Sequence, residues 1–224
     1  MSFSDTLQKM PVTIPIFPLE GVLLLPGGDL PLNIFEPRYI AMTKNAMGSD
    51  RLIGMIQPCE TPDKITDEAC KPFYKVGCVG RISSFEETAD GRFLINLRGL
   101  IRFNLLSHQM TDDGYRLAEV DFPSYARDLK ECDQLPDELK RPKLIEKIQV
   151  YLGREGLSID WDAASYIPDQ RFYTLLAMIC PFTSAEKQAL LEAADFKERC
   201  KMLKCLMDIA CADDEHKSYT ERPC

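Results

Sequence analysis

Histidine is nearly absent from this chain, which carries only His108 and His216. Neither shows a local Ser, Cys or carboxylate arrangement of the kind a catalytic dyad needs. Two imidazoles cannot by themselves build a three-ligand catalytic zinc site of the usual kind. Basic runs are lacking too: 27 Lys and Arg stand against 35 Asp and Glu, a net charge of −8. Neutralising a phosphate backbone needs clustered cations, so this balance argues against a nucleic-acid partner, and the acidity serves solubility. No apolar run approaches the roughly 20 residues of a membrane span, so no membrane partner is expected, and the polar, mixed Met1–Met10 does not read as a secretory signal. The nine cysteines are odd in number and include no Cys-x-x-Cys spacing. That excludes a zinc knuckle and a closed disulfide framework. They read as reduced thiols serving as small apolar side chains, which implies a reducing, cytoplasmic setting. Internal repeats and low-complexity tracts are also missing.

What is present is concentrated between Ile14 and Tyr39. Ile14, Phe17, Leu19 and Val22–Leu25 are strand-forming, core-seeking side chains, and Pro15, Pro18 and Pro26 prevent a long helix. Pro26-Gly27-Gly28 is a turn by residue type. Leu30–Phe35 is a second extended run, and Glu36-Pro37 opens a helix with proline suited to its first position. Tyr39, Met42 and Met47 fall near one face of that helix, and Gly48 ends it as a C′ residue. The stretch reads as the corner of a small, tightly wound β-domain.

Downstream, Arg51–Ile56 reads as a buried strand and Pro58–Pro72 as an exposed loop. Phe73–Thr88 is a long strand with Gly77 and Gly80 as bends or bulges. Ala89-Asp90-Gly91 and Asp112-Asp113-Gly114 are hairpin turns. Between them Phe93, Ile95 and Leu97 alternate with Arg92, Leu94, Asn96 and Arg98. Gly99 breaks the period, and Ile101, Phe103 and Leu105 resume it. Tyr115–Phe122 completes an antiparallel meander, twisted enough to close into a small barrel.

After a polar connection, Pro123–Pro136, the period becomes helical. Leu144, Ile148 and Leu152 share a face, with Gly156 as the helix end. Asp160–Tyr166 is a short helix. Asp169 caps the next, with Phe172, Leu175, Leu176 and Ile179 inside and Pro181 terminating it. Thr183-x-x-Glu186 is a capping box, and Asp195-x-x-Glu198 starts the last helix, with a stripe of Phe196, Cys200, Leu203, Met207 and Ala210. The division is a β-rich unit over residues 10–122, a helical unit over 136–211, and a charged tail over 212–224.

Several of these segments together resemble the N-terminal substrate-binding domain of Lon proteases. They are Pro15-Ile16-Phe17-Pro18-Leu19, Leu25-Pro26-Gly27, Ile34-Phe35-Glu36-Pro37-Arg38-Tyr39, Val76–Gly80, Leu97–Phe103 and Pro181–Arg199. The resemblance runs from about Met10 to Ala210. It implies an α+β fold, a PUA-like β pseudo-barrel packed against a C-terminal helical bundle. A Lon protease also needs a phosphate-cradling Gly-x-x-x-x-Gly-Lys-Ser/Thr loop and a Ser-Lys proteolytic site. Neither is found here, nor is the zinc spacing of RING-finger or cereblon-like relatives. The expectation is a stand-alone, non-enzymatic polypeptide-binding module with no catalytic residue, metal or cofactor.

The residues put forward for peptide contact are Phe35, Glu36, Arg38, Tyr39 and Arg102. The same residues also read as fasteners. A carboxylate suits a helix N-terminus, and an arginine fork holds a corner together. Glu86-Glu87 and Asp112-Asp113 read as solvated turn acids. The partners expected are unfolded or apolar polypeptide segments. A scaffold or adaptor with one dedicated protein partner, such as a protease complex, is the alternative. A small-molecule or RNA-modification role, suggested by the PUA-like architecture, stands third, with the acidity against RNA.

Overall fold

The computed structural model describes residues 10–59, 72–130 and 135–220, with side chains to residue 212. Two compact units divide between Glu131 and Cys132. The first is a sheet and the second is all helical, which makes the class α+β.

The first unit contains β1 (Thr13–Pro18), β2 (Asp29–Ile34), α1 (Pro37–Met47), β3 (Leu52–Ile56), β4 (Val76–Glu87), β5 (Phe93–Met110) and β6 (Arg116–Asp121). The sheet order is β2-β5-β4-β3-β1-β6, and β5 also pairs with β6. Five strands therefore close a ring, and β2 is added outside it on β5. The antiparallel meander expected from Phe73 onward forms as β4-β5-β6, and β1 adds a pairing that the sequence did not indicate. β1 runs parallel to β3 and antiparallel to β6, wedged between them. The ring can close because β5 is 18 residues long. Its first part pairs with β2 and β4, and its last part with β6. Register shifts between Val79 and Gly80 and between Leu105 and Ser107 supply the bends.

Alternation places the core. Phe93, Ile95, Leu97, Ile101 and Phe103 of β5 are buried, and so are all five residues of β3. Ile14, Ile16, Val79, Ala118, Val120 and Phe122 pack with Ile101 and Phe103 of β5 and with Leu52 and Ile56 of β3 in one buried cluster. Gly77 is no bulge. It gives room to Phe103, whose ring a Cβ there would meet at 2.2 Å. The period does break at Gly99: Gly99 lies opposite Gly80 and Ile101 opposite Val79, so Leu100 is left over as a bulge and the face turned inward changes there. A Cβ on Gly99 would come within 2.1 Å of the Leu25 carbonyl oxygen. Leu19–Leu25 forms no strand, although its side chains are strand-forming by type. Gly27 N–H donates to the Gly99 carbonyl at 2.9 Å, and Leu23, Leu24 and Leu25 are buried as an irregular segment.

Both Asp-Gly turns form, with Gly91 and Gly114 each at φ +81°, where glycine carries no Cβ penalty. Gly48 does end α1, but at φ −78°; the left-handed residue nearby is Arg51, at φ +59°. Met47 is only half-buried, and Thr43 and Ala46 complete the inner face. The strand expected from Phe73 starts at Val76, because Phe73 makes only an isolated bridge to Pro58. Most of the expected Pro58–Pro72 loop lies outside the described residues. The polar connection from Pro123 is structured: Pro123–Leu129 is a 3₁₀ helix, and a shorter one spans Asp137–Leu139.

The second unit contains α2 (Arg141–Arg154), α3 (Trp161–Ser165), α4 (Asp169–Ile179), α5 (Ser184–Glu192) and α6 (Phe196–Thr220). Leu144, Ile148 and Leu152 are buried as expected, with Tyr151. Gly156 closes α2, with Leu157 N–H reaching the Leu152 carbonyl at 2.8 Å. Asp160 caps α3, Thr183 and Glu186 form the capping box of α5, and Asp195 accepts Glu198 N–H at 2.9 Å. Asp169 is not a cap. It occupies the first turn of α4 and pairs with Arg141 at 2.8 Å. Ile179, expected inside, is 53 % exposed; Tyr173 and Ala177 take that place, and the Tyr173 hydroxyl donates to the Leu139 carbonyl at 2.9 Å. α6 runs on to Thr220, through most of the expected charged tail. Among the described residues no helix is long and apolar enough to cross a membrane.

Candidate functional site

The corner at Phe35–Tyr39 is built by three constraints in sequence. Ile34 ends β2 with its side chain buried. Glu36 keeps an extended backbone, φ −70° and ψ 133°, because the residue before a proline is disfavoured in the helical region. Pro37 then starts α1 without needing an amide donor. Phe35, at the bend, has nowhere inward to go and is 63 % exposed.

Glu36 does not cap the helix with its side chain. Its Oε2 instead receives Arg38 Nε and Nη2, both at 2.9 Å. The Arg38 guanidinium lies 4.7 Å above the Tyr39 ring centroid, and Tyr39 packs on Phe17 with centroids 4.2 Å apart. Glu36, Arg38, Tyr39 and Phe17 thus form one stack joining α1 to the end of β1. The stack flanks a concavity of about 340 Å³ lined by Phe17–Leu19, Pro31–Ile34, Phe35 and the Glu36–Arg38 pair. Among the described residues β2 pairs with β5 alone, and its Pro31–Ile34 line this concavity.

The structure brings Phe35, Glu36, Arg38 and Tyr39 together there, and Arg102 is not among the lining residues. Arg102 is 1 % exposed inside the ring unit. Its Nε and Nη2 donate to Asp128 Oδ2 and Oδ1 at 2.8 and 2.7 Å, and its backbone N–H reaches Oδ2 at 3.1 Å. Tyr125 lies against the guanidinium at 4.6 Å and donates its hydroxyl to Asn104 Oδ1 at 3.0 Å. This arginine locks the 3₁₀ helix onto β5 and is not available to a ligand. Asp128 and Tyr125 carried no signal in the sequence, because a 3₁₀ turn inside a polar connection has no apolar period to betray it.

A second missed residue is Asn45. From α1 it donates to Tyr115 Oη at 3.0 Å and to Asp113 Oδ2 at 3.3 Å, tying the helix to the β5–β6 turn. Asp113 is therefore a docking point as well as a turn acid. His108 sits 3.2 Å from Arg116 Nη1, with burial and that neighbouring cation both holding its pKa below the usual value. His216 lies beyond the residues whose side chains are described. Among the described residues no group of three or more His, Cys, Asp or Glu could hold a metal ion. The corner thus presents an exposed aromatic, apolar walls and one ion pair on the rim.

Comparison with known proteins agrees with this architecture. A Lon protease 2 of Myxococcus xanthus is 26 % identical over 203 residues, covering 90 % of this chain and 24 % of that protein. A Lon protease of Parabacteroides distasonis is 32 % identical over 110 residues, 49 % of this chain. The chain spans about a quarter of the length of the curated relatives it matches. Among solved structures, the N-terminal domain of a Mycobacterium avium complex Lon protease covers 88 % of this chain and 98 % of its own, with TM-score 0.59 and 18 % identity. A Lon N-terminal domain protein from Xanthomonas campestris covers 85 % and 96 %, with TM-score 0.53 and 23 % identity. The family model of the ATP-dependent protease La (LON) substrate-binding domain matches residues 13–208, from the start of β1 into α6. The chain belongs to the LON substrate-binding domain family.

Proposed function

We propose that this chain binds polypeptide through the Phe35 corner, taking exposed apolar segments of unfolded or partly folded proteins and carrying out no bond-making step itself. The observation that carries the reading is Phe35, a large aromatic 63 % exposed at the rim of an apolar concavity beside the outer edge of β2. An extended segment can place one apolar side chain in the concavity and run along β2 as an added strand. Pro31 removes one donor from that edge, which keeps the pairing short and the affinity low. Family membership supports the same reading. The described cysteines, Cys59, Cys78, Cys180, Cys200, Cys205 and Cys211, are joined by no disulfide, which supports a reducing, cytoplasmic setting.

The test is a titration of a fluorescently labelled, permanently denatured protein with this chain, followed by anisotropy. Binding in the high micromolar range, little changed by salt, is the expected result. Phe35→Ser weakens it about tenfold, the size of one lost apolar anchor, with the melting temperature unchanged. Absence of binding at several hundred micromolar overturns the proposal. Stoichiometric capture of one folded partner, with no affinity for the denatured chain, overturns it in favour of a dedicated scaffold.

A further inference from the structure

The concavity at the corner is apolar, but the charges around it are not balanced. Leu19 lines it, and Glu20, the next residue, is exposed. On the other flank the Thr111–Tyr115 turn comes up to α1. A Cβ on Gly114 would lie 3.6 Å from the Arg38 Cβ, and Asn45, on the same side of α1 as Arg38, donates to Asp113 at 3.3 Å. That turn therefore brings the exposed Asp112 and Asp113 beside Arg38.

The cations close to these acids are already matched. Arg38 is paired with Glu36 at 2.9 Å, Arg92 with Asp90 at 2.7 Å and Arg98 with Asp29 at 2.5 Å. Lys44 lies over the Phe93 ring at 5.7 Å, on another side of α1. Glu20 and Asp112 take no ion pair among the described residues, and the group that Asp113 receives is a neutral amide. Counted in the sequence, none of the segments outside the described residues has a net positive charge. The rim is left acidic, on a chain of net charge −8.

An acidic rim around an apolar hollow suits one kind of segment. Lysine and arginine lay an aliphatic stem along apolar surface while the charged head reaches past it. We infer that the corner selects, among unfolded segments, those whose apolar anchor is flanked by Lys or Arg, and disfavours those flanked by Asp or Glu. This selectivity rests on the corner being a polypeptide site, as proposed above. Charges on a rim decide between partners more than they raise total affinity. A denatured protein of mixed charge averages over both kinds of segment, so its binding stays little changed by salt.

The experiment compares three dye-labelled peptides that share one apolar core and carry flanks of lysine, serine or glutamate. Each is titrated with the whole chain and followed by anisotropy. In low salt the lysine-flanked peptide is expected to bind about tenfold more tightly than the glutamate-flanked one, with serine between, the size that a few exposed charge pairs supply. At about 0.5 M salt the screening length is a few ångströms and the three converge. Phe35→Ser weakens all three alike. Glu20→Gln with Asp112→Asn lowers the lysine-to-glutamate ratio to about threefold or less, with the melting temperature unchanged. Glu146→Gln with Glu155→Gln removes two exposed acids of the helical unit, changes the net charge equally and leaves the ratio where it was. Equal binding of the three peptides in low salt overturns the charge preference and leaves the corner as a polypeptide site. So does a ratio lowered as much by the helical pair of substitutions as by the corner pair. Failure of all three peptides to bind removes both readings.

Discussion

Arg102 and Asp128 meet as a bidentate pair, with two hydrogen bonds of 2.7 and 2.8 Å between side chains almost wholly removed from solvent. Such a pair is costly to break by halves, because the survivor is left as a buried, uncompensated charge. Asp128→Ala is expected to lower stability by about 3–5 kcal/mol in urea unfolding. The double change Arg102→Met with Asp128→Leu should recover most of that loss. If the single change costs less than about 1 kcal/mol, the pair does not secure the 3₁₀ helix.

The Glu36–Arg38 pair at the corner predicts a contrast. Both side chains are substantially exposed, and pairs of that kind contribute about 0.2–1 kcal/mol at most. Glu36→Gln should change the unfolding midpoint little, and high salt should change it as little. A loss comparable with that of Asp128→Ala would show that the corner depends on this carboxylate.

Gly99→Ala places a methyl against the Leu25 carbonyl, a backbone atom that cannot rotate aside. Overpacking of this kind typically costs about 1–3 kcal/mol. A lower thermal midpoint is expected, with the changes in amide shifts centred on Leu23–Gly28. Gly153→Ala, with nothing within 4 Å of the added atom, is the internal control and should be neutral or stabilising.

Thiol chemistry should follow burial. Cys205 is exposed, whereas Cys78, Cys180 and Cys200 are buried, and burial pushes the Cys180 thiol up to about 12. The thiolate is the reacting form, so native alkylation followed by mass spectrometry should label Cys205 early and Cys180 only on unfolding. Early labelling of Cys180 would contradict the helical core described here.

Stability should also fall in mild acid. The folded His108 binds its proton more weakly than the unfolded chain does, mainly through burial and then through Arg116. The unfolded state therefore takes up more protons as pH drops. The contribution is fully present above about pH 6.5 and is lost as pH falls through the folded pKa. His108→Gln should flatten this part of the stability–pH curve. An unchanged slope would place its origin elsewhere.

What was legible in the sequence was local. The two Asp-Gly turns, the Thr183 capping box, the Pro37 helix start and the alternation of Phe93, Ile95 and Leu97 each lie within a few residues and form as expected. The parallel seat of β1 against β3 has no such signature, because neither strand's pattern says which neighbour it will find. Arg102 could be suspected of a fastening role, but its partner is 26 residues away in a segment without apolar period. Ile179 fitted the helical stripe of α4 and was still displaced outward, because Tyr173 turns its ring inward and finds the Leu139 carbonyl. At the corner the sequence indicated the ion pair but not the Asn45 tether that holds α1 from the far side.

The place of β1 in the ring has a consequence for how the chain folds. Ile14 pairs with Ala118, about a hundred positions later, and Ile16 pairs with Arg116. The apolar Ile14–Phe17 segment must therefore wait, without its final neighbours, until β6 has been made. Closure of so long a loop is entropically slow, so insertion of β1 is the step expected to limit the folding rate of this unit. Until then the family's most recognisable stretch is also an exposed, strand-forming segment, and Pro15 and Pro18 limit its pairing with other chains while it waits.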